Sequence, residues 1–411
     1  MERAAAALDG GILTPEQAAE VLQLRIENWI WLGMMDNCAP DVEAVAALAA
    51  DHASPALHAR ALIVRSMVQS RVGLLDEAIA SARTALEPAA RSADRELLAL
   101  AHLRLATGLN RKGSDAAEAL DYGRQAASAF ESLGRQALRA RALLVQFSAL
   151  DLQGKAAEAD ALATEALALA RQCGDPNGQA SALNSLTFHE PDQAATLRRY
   201  QQALSALAAA NNVSGRAVII GNLGIGYTIL GLFHRARRFL LEAHVAQARM
   251  GNKLTQAAGY WELFNVEFRM RHPHAARTAK IAAALTRELG SVRFAGSAAH
   301  AQGRMALRAG RAAEAAQLCG EAVELASEEA IRLAYLATAA EAHLAAGQPE
   351  QALAVTRRAT ELHRVHELAF LDGMDPPALW WRHAQALRAN ARVAESRSAL
   401  EAAYRFLLEL V

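Results

Sequence analysis

The sequence is poor in the residues that build strands. Aromatic residues make up only 5% of the chain. No segment alternates apolar and polar residues with the β-branched enrichment expected of a strand. Alanine supplies much of the 53% hydrophobic content, and it is the best helix former but a poor strand former. The composition therefore predicts an all-α protein.

Cysteines and long apolar runs are also scarce. Cys38, Cys173 and Cys319 are far apart and form no Cys-x-x-Cys pair, which argues against a disulfide framework and suits a reducing cytosol. The chain has no run of about 18 uncharged apolar residues. Residues 1–17 lack the basic region and the apolar core of a signal peptide. We therefore expect a cytoplasmic protein that does not contact a membrane.

Motifs for catalysis and for metal binding are missing. There is no G-x-S-x-G nucleophile elbow, and no cysteine lies in a nucleophile context. The pairs His272/His274 and His363/His366 have no cysteine and no convincing carboxylate companion nearby in sequence, and we interpret them as surface or packing histidines. We expect no enzyme activity, no metal and no cofactor. A catalytic site assembled from residues distant in sequence stays open as a minor alternative.

The net charge is zero, but its distribution is uneven. Residues 1–53 hold nine acidic side chains against Arg3 and Arg25, whereas residues 231–311 hold fourteen basic side chains against four acidic ones. Two interpretations stay open. The charges decorate solvated helix faces unevenly, or the basic region docks an acidic partner.

The basic region also contains aromatic residues, a combination typical of single-strand nucleic-acid binding. Several of these aromatic residues occupy core positions of the repeats described below, so we expect most of them to be buried. Nucleic acid is therefore not the expected ligand. The residues are Phe233, Phe239, Tyr260, Trp261, Phe264, Phe268 and Phe294.

Internal repeats organise the chain. The pattern G-x-x-x-E-A, with weaker equivalents, marks turns about 40 residues apart. Each unit predicts a helix, a tight turn and a second helix. Thr14-Pro15, Ser54-Pro55 and Asp175-Pro176 each place a capping residue before a proline at a first helical position. The turn positions are 33, 73, 113, 154, 190, 231, 272, 310, 347 and 391.

Such hairpins bury a continuous core only by stacking on their neighbours. We therefore predict one domain over residues 1–411, a right-handed superhelical α-solenoid of about ten hairpins. The unit at residues 176–212 is irregular because its first helix is short, and a longer loop is expected at about residues 371–377.

The repeats resemble those of the tetratricopeptide repeat (TPR) family. The unit around Gly231 matches well, with Leu223-Gly224, Tyr227 and Ala236 at the family's positions. The period exceeds the usual length of about 34 residues. In this respect the chain is similar to kinesin light chains and to the sensor regions of bacterial signal-transduction ATPases, LuxR-type regulators and cyclase fusions. The resemblance implies a non-catalytic binding or sensor role in signalling or transcription regulation.

The glycine-rich stretch at residues 221–233 superficially resembles a phosphate-binding loop. Its glycines run G-x-x-G-x-G rather than G-x-G-x-x-G, and no predicted strand precedes them. We interpret Gly224 and Gly226 as close-packing positions within a helix and Gly231 as the turn that ends it. Alanine would also serve at Gly221.

The resemblance implies that the first helix of each hairpin lines a concave groove, and that the position nine residues before the turn glycine faces it. Asn222 holds this position before Gly231, and Asn184 is a looser equivalent in the irregular unit. An asparagine can bond a ligand's backbone with both a donor and an acceptor. We therefore expect both asparagines to contact the ligand.

Arginines hold other predicted groove positions. Arg104 stands nine residues before Gly113, and Arg304 and Arg308 precede Gly310 at two other offsets. Arginine can hold a carboxylate with two hydrogen bonds. The alternative is that these are exposed polar residues without a dedicated ligand. Most repeats depart from the pattern, since the same offset as Arg104 holds Val64, Val145 and Ala301.

We therefore expect a binding scaffold whose groove takes a peptide or a partner protein, acidic on the charge argument, or a small-molecule effector. The alternative is an assembly scaffold, in which end repeats stack on another copy to form a homo-oligomer.

Overall fold

The computed structural model describes residues 13–249, 253–289, 294–326, 329–365 and 376–409. Within these ranges the backbone forms twenty α-helices, one short 3-10 helix and no strand. The predicted all-α class is confirmed. His366 and residues 371–375 of the expected longer loop lie outside the described residues.

The helices fall into two compact units, residues 1–270 and residues 271–411, and the single-domain organisation stays a prediction. In unit 1, odd-numbered helices open the hairpins and even-numbered helices close them. Its helices are α1 (Pro15–Leu32), a 3-10 helix (Met35–Asn37), α2 (Cys38–Asp51), α3 (Pro55–Val72), α4 (Leu75–Arg91), α5 (Arg95–Lys112), α6 (Ala116–Ser132), α7 (Gln136–Leu152), α8 (Ala156–Gln172), α9 (Pro176–Ser185), α10 (Gln193–Ala209), α11 (Val213–Ile229), α12 (Phe233–Arg249) and α13 (Lys253–Arg269).

The described part of unit 2 has seven helices, of which the last six pack in sequence as three hairpins. They are α14 (Ala275–Leu289), α15 (Ala295–Arg308), α16 (Ala312–Leu325), α17 (Glu329–Ala345), α18 (Pro349–Val365), α19 (Pro376–Ala389) and α20 (Val393–Glu409). None of the helices within the described ranges has the combination of length and hydropathy needed to cross a membrane.

Left-handed residues end the first helix of most hairpins. All ten predicted turn positions lie between consecutive helices. Seven of them hold a glycine with φ between 69° and 95°, the conformation that glycine adopts without the steric cost of a side chain. Ala391 takes φ 60° at the last turn. The sequence therefore located the hairpins correctly.

Side-chain caps begin several first helices as expected. The Thr14 hydroxyl accepts a hydrogen bond from the Gln17 backbone at 3.3 Å, and the Gln17 side chain accepts one from the Thr14 backbone at 3.0 Å. Asp175 accepts a hydrogen bond from the Asn177 backbone at 3.0 Å. This last cap opens α9, which has only 10 residues, so the predicted short helix of the irregular unit is confirmed.

The three cysteines are free thiols, with Cys38 and Cys319 buried and Cys173 exposed. Burial, and then the charges of Asp41 and Asp36, raise the pKa of the Cys38 thiol to about 11. A thiol with a pKa in this range is a packing group rather than a nucleophile at neutral pH.

Small residues let α11 and α12 approach closely. A Cβ atom added at Gly224 would lie 2.7 Å from Cγ of Leu240, whose side chain is buried on α12. At Gly226 the nearest atom, Cδ2 of Leu197, would be 3.3 Å away, whereas at Gly221 it is Cβ of Ala243 at 3.6 Å. The interpretation of this stretch as a packed helix is confirmed, and Gly221 has room for a methyl group.

These glycines give a first prediction. Gly224→Ala and Gly221→Ala gain the same helix propensity, but only Gly224→Ala forces a methyl group against Leu240. We expect Gly224→Ala to be less stable than Gly221→Ala by about 1–3 kcal/mol, the usual cost of overpacking. Chemical unfolding of the two variants measures the difference. Equal stability would mean that α11 and α12 are not packed as described.

Candidate functional site

The odd-numbered helices of unit 1 surround a common space. α1, α3, α5, α7 and α9 pack in series, and α11 contacts both α13 and α1. Because the first helix touches the helix that opens the sixth hairpin, these helices close around the space between them. Side chains from distant parts of the sequence can therefore meet there.

Glu27 shows this convergence directly. Its Oε1 accepts a hydrogen bond from Nη2 of Arg104 at 3.4 Å, and its Oε2 accepts one from Nη1 of Arg141 at 3.5 Å. The three residues lie on α1, α5 and α7. The side chains of Glu27 and Arg104 are each 11% exposed, and that of Arg141 is 33% exposed. The carboxylate thus bridges three hairpins.

Arg71 faces the same charges, and Arg111 interacts with Arg71. Electrostatic interactions link Arg71 of α3 to Arg111, Arg104, Arg141 and Glu27. Arg71 and Arg111 are exposed, although nearby protein atoms lower the pKa of both guanidinium groups by desolvation. We call Arg71, Arg104, Arg111 and Arg141 the arginine cluster.

The pKa values of two arginines in the cluster are lowered. Burial, followed by the charges of Arg111, Arg104 and Arg141, lowers the pKa of Arg71 to about 9. Burial, followed by Arg141, lowers the pKa of Arg104 to about 10. In both cases Glu27 opposes the shift. The guanidinium groups stay charged at neutral pH and repel one another.

The carboxyl group of Glu27 responds in the opposite direction. Burial alone would raise its pKa, but the charges of Arg141 and Arg104 and hydrogen bonds from Arg141 and Gln23 together hold it below its ordinary value of 4.5. Glu27 is therefore ionised at neutral pH and partly neutralises the cluster.

The two predicted asparagines lie next to each other. Nδ2 of Asn222 on α11 donates a hydrogen bond to Oδ1 of Asn184 on α9 at 2.7 Å, and both side chains are half-buried. The sequence indicated the two positions separately, and the structure brings them together. Their role in ligand binding stays a prediction.

Arg304 and Arg308 lie on α15 in unit 2, where Arg304 is half-buried and Arg308 is exposed. Burial, and then the charge of Arg304, lower the pKa of His300 to about 3. His300 Nε2 lies 2.9 Å from the hydroxyl of Thr338. Arg304 thus lies beside a histidine whose imidazole is neutral at neutral pH in the folded protein. A role in ligand binding stays a prediction for both arginines.

Offset rules from the turn glycine predicted the site only in part. Asn222 and Arg104 stand nine residues before their turn glycines. In other repeats the same position holds Val64 and Ala301, and both of these side chains are buried. Arg71 and Arg111 were missed, although each stands two residues before its turn glycine, the offset applied to Arg308. Arg141 stands at none of the offsets from a turn glycine that were used to predict groove residues.

The aromatic residues of the basic region are buried or half-buried, as expected. Trp261 and Phe264 are 6% and 1% exposed, and the other five are intermediate. Among the described residues of this region, none of these seven aromatic side chains is exposed. The interpretation of His363 as a packing residue is also supported, because it is fully buried and its Nδ1 accepts a hydrogen bond from Trp380 Nε1 at 3.0 Å.

Two solved structures have a similar fold. A Rap protein in complex with competence and sporulation factor aligns over 92% of this chain and 99% of its own, with 10% identity and a TM-score of 0.55. Aspartyl phosphate phosphatase F from Bacillus subtilis aligns over 88% of this chain and 98% of its own, with 9% identity and a TM-score of 0.52. No protein-family model and no curated protein matches the chain.

At these identities the likeness shows the fold alone. The helical hairpins, their left-handed turns and these neighbours define a TPR-type helical repeat fold. The resemblance inferred from the repeat residues is thus confirmed at the level of fold.

The Glu27 bridge gives a second prediction. Glu27→Gln leaves the buried guanidinium groups uncompensated, and we expect it to lower the free energy of unfolding by about 3 kcal/mol at neutral pH. Because the folded pKa of Glu27 is depressed, the carboxylate stabilises the protein fully above the unfolded pKa. That contribution disappears as the pH falls through the folded pKa. Urea unfolding at several pH values measures this difference.

The matched control for this experiment is Glu87→Gln. Glu87 forms an exposed pair with Arg91 on α4, and its side chain is 73% exposed. Since exposed ion pairs contribute little to stability, we expect Glu87→Gln to change the free energy of unfolding by no more than about 0.5 kcal/mol. If Glu27→Gln and Glu87→Gln are equally stable at neutral pH, Glu27 does not hold the arginines.

Proposed function

We propose that unit 1 is a non-catalytic binding module, and that the space between its odd-numbered helices takes an extended segment of a peptide or partner protein. The observation that carries this proposal is the convergence of polar side chains from separate hairpins on that space. Glu27, Arg104 and Arg141 come from the first, third and fourth hairpins. A core that served stability alone would be expected to exclude such groups.

The asparagine pair supplies the contact to the ligand's backbone. The bond between Asn222 and Asn184 uses one donor and one acceptor. The pair therefore keeps amide hydrogen atoms on Asn184 and a carbonyl oxygen on Asn222, which is the combination that a peptide group requires. An extended chain that passes the pair would gain hydrogen bonds independent of its sequence.

The similar structures support a binding role of this kind. One of them is a Rap protein in complex with competence and sporulation factor. We extend the proposal to regulation: the module acts as the sensor or interaction part of a bacterial signalling protein, and ligand binding is relayed to an effector.

The third prediction tests the asparagine pair. A peptide that binds wild-type protein is first selected from a random-sequence display library. Asn222→Ala removes hydrogen bonds to this peptide, and we expect the binding free energy to fall by about 1–3 kcal/mol, roughly five- to 150-fold in Kd. Isothermal titration calorimetry measures the change. Melting should hardly change because the pair is half-buried.

Gln202→Ala is the matched control, since Gln202 is an exposed amide on the even-numbered helix α10. It should bind the selected peptide like the wild type. Equal affinities for Asn222→Ala and Gln202→Ala would remove Asn222 from the binding site. A library that yields no binding peptide would contradict the proposed function itself.

An assembly role is a second candidate, and the last helix favours it. The outer face of α20 carries exposed apolar residues beside the exposed Arg397–Glu401 ion pair, whereas end repeats of solenoids need a polar outer face for solubility. A second copy stacked on this face would bury it. The exposed residues follow helical spacing and are Val393, Leu400, Tyr404, Leu407 and Leu408.

The fourth prediction concerns this face. If copies associate through it, Leu400→Glu should shift the protein to a smaller species in light scattering. High salt should not have that effect, because apolar contacts are not screened. Dissociation of the wild type by salt would instead favour association through the acidic and basic regions. A wild type that is monomeric at all concentrations would exclude the assembly role.

A further inference from the structure

We propose that His189 is a pH-sensitive clamp. In its imidazolium form it ties the loop that follows α9 to the preceding hairpin, and it thereby holds Asn184 in position for the ligand. Loss of the proton loosens the loop and weakens ligand binding. His189 is then a positioning residue, which acts on the ligand through Asn184. The inference rests on the proposed function, because it adds regulation by pH to the same site.

Both ring nitrogens of His189 contact carboxylates of the preceding hairpin. Nδ1 lies 2.8 Å from Oδ1 of Asp160 on α8, and Nε2 lies 2.9 Å from Oδ1 of Asp151 on α7. The three side chains are between 22% and 39% exposed. One imidazole therefore joins the loop of the fifth hairpin to both helices of the fourth.

This geometry requires the imidazolium form. An ionised carboxylate only accepts hydrogen bonds, so both ring nitrogens must carry a hydrogen atom to bond to the two aspartates. A neutral imidazole has one N–H group. After deprotonation, one ring nitrogen and one carboxylate would face each other with lone pairs alone, and that contact is lost.

The charges around His189 favour its proton. Burial alone would lower the pKa of His189, but hydrogen bonds to Asp160 and Asp151, and then their charges, raise it above the ordinary value of 6.5. Another charged pair at this loop joins Glu190 to Arg199 of α10 at 2.6 Å, and α9 carries no ionisable side chain. The contact therefore stabilises the fold fully below the unfolded pKa, and this contribution disappears as the pH rises through the raised folded pKa.

The loop takes the place of helical turns that other first helices have. α9 ends at Ser185 after 10 residues, whereas α7 and α11 have 17 residues each. Residues 186–192 then connect α9 to α10. Since no α-helix holds this segment, its position depends on side-chain contacts such as that of His189, and this contact responds to pH.

Asn184 is bonded to the same loop. Its backbone oxygen accepts hydrogen bonds from the Thr187 backbone at 3.1 Å and from the Thr187 hydroxyl at 2.6 Å. Thr187 lies two residues before His189. The side chain of Asn184 accepts the hydrogen bond from Asn222. A shift of the loop is therefore transmitted directly to the asparagine pair.

Other contacts keep the loop folded when the clamp opens. Nη1 of Arg199 donates a hydrogen bond to the Leu186 carbonyl, and the Thr187 hydroxyl lies 3.0 Å from the hydroxyl of Tyr200. Neither contact includes a histidine, the side chain that ordinarily titrates near neutral pH. We therefore expect the loop to loosen rather than unfold, with a moderate effect on ligand binding.

The fifth prediction compares the wild type with His189→Gln, whose side chain cannot become charged, at about pH 6 and about pH 9. Hydrogen–deuterium exchange of residues 183–192, corrected for the intrinsic exchange rate, reports on the loop. At the lower pH the variant should exchange several-fold faster than the wild type. At the higher pH the two proteins should exchange alike, because the wild-type imidazole has lost its proton.

The matched control is His52→Gln, at an exposed histidine before α3, which should exchange like the wild type at both pH values. Asp151→Asn/Asp160→Asn keeps the size of both partners and removes their charges. In this double variant the pH at which the loop loosens should fall, because the charges that favour the proton are gone.

The selected peptide measures the effect on the ligand site. At the lower pH, His189→Gln should bind this peptide roughly two- to tenfold more weakly than the wild type, the effect of about one hydrogen bond. At the higher pH the two affinities should agree within about twofold. His52→Gln should bind the peptide like the wild type throughout.

Equal exchange of the wild type and His189→Gln at the lower pH would overturn the clamp. A difference that persists at the higher pH would also overturn it, because it would indicate a packing role for the imidazole. If Asn222→Ala weakens peptide binding and His189→Gln does not, the clamp fails and the proposed function stands. If no peptide is selected, the proposed function fails, and hydrogen–deuterium exchange still decides whether the loop is clamped.

Discussion

The stacking of helical hairpins is the constraint on which the rest of the structure depends. A hairpin with one apolar side cannot bury that side alone, so each unit must pack against the next. Close packing requires small residues where helices meet, as at Gly224 against Leu240. It also gives the two helices of a hairpin different surroundings, since the odd-numbered helices of unit 1 pack on one another as well as on their even-numbered neighbours. Polar side chains of α1, α5 and α7 meet between them.

This arrangement explains why charges converge that are far apart in sequence. Glu27 and Arg141 are separated by 114 positions, and their side chains nevertheless meet between α1 and α7. Burial desolvates the guanidinium group of Arg104, which the charge of Arg141 repels. Glu27 relieves part of this repulsion. The same stacking that gives stability therefore also creates the candidate binding site.

The sequence predicted the features that depend on neighbouring residues, but it did not predict contacts between residues that are far apart in the chain. Turn glycines, proline-preceded caps and the 40-residue period depend on neighbouring residues, so the ten turns and the short α9 were all identified correctly. Asn222 and Asn184 were identified through the family resemblance. Arg71 and Arg111 were within reach of the same offset rule that gave Arg308. Glu27 was not, because its partners are set by how far the stacked hairpins curve, which no local pattern encodes.

The central claim is that Glu27 lies ionised within the arginine cluster, and its own titration tests this most directly. Carbon-13 labelling of the glutamate carboxyl groups, with Glu27→Gln used for assignment, allows the pKa of Glu27 to be measured by NMR. The account predicts a midpoint below the ordinary value of 4.5, and a rise toward or above that value in an Arg141→Gln background, where burial would dominate. A midpoint at or above 4.5 in the wild type, unchanged by Arg141→Gln, would contradict it.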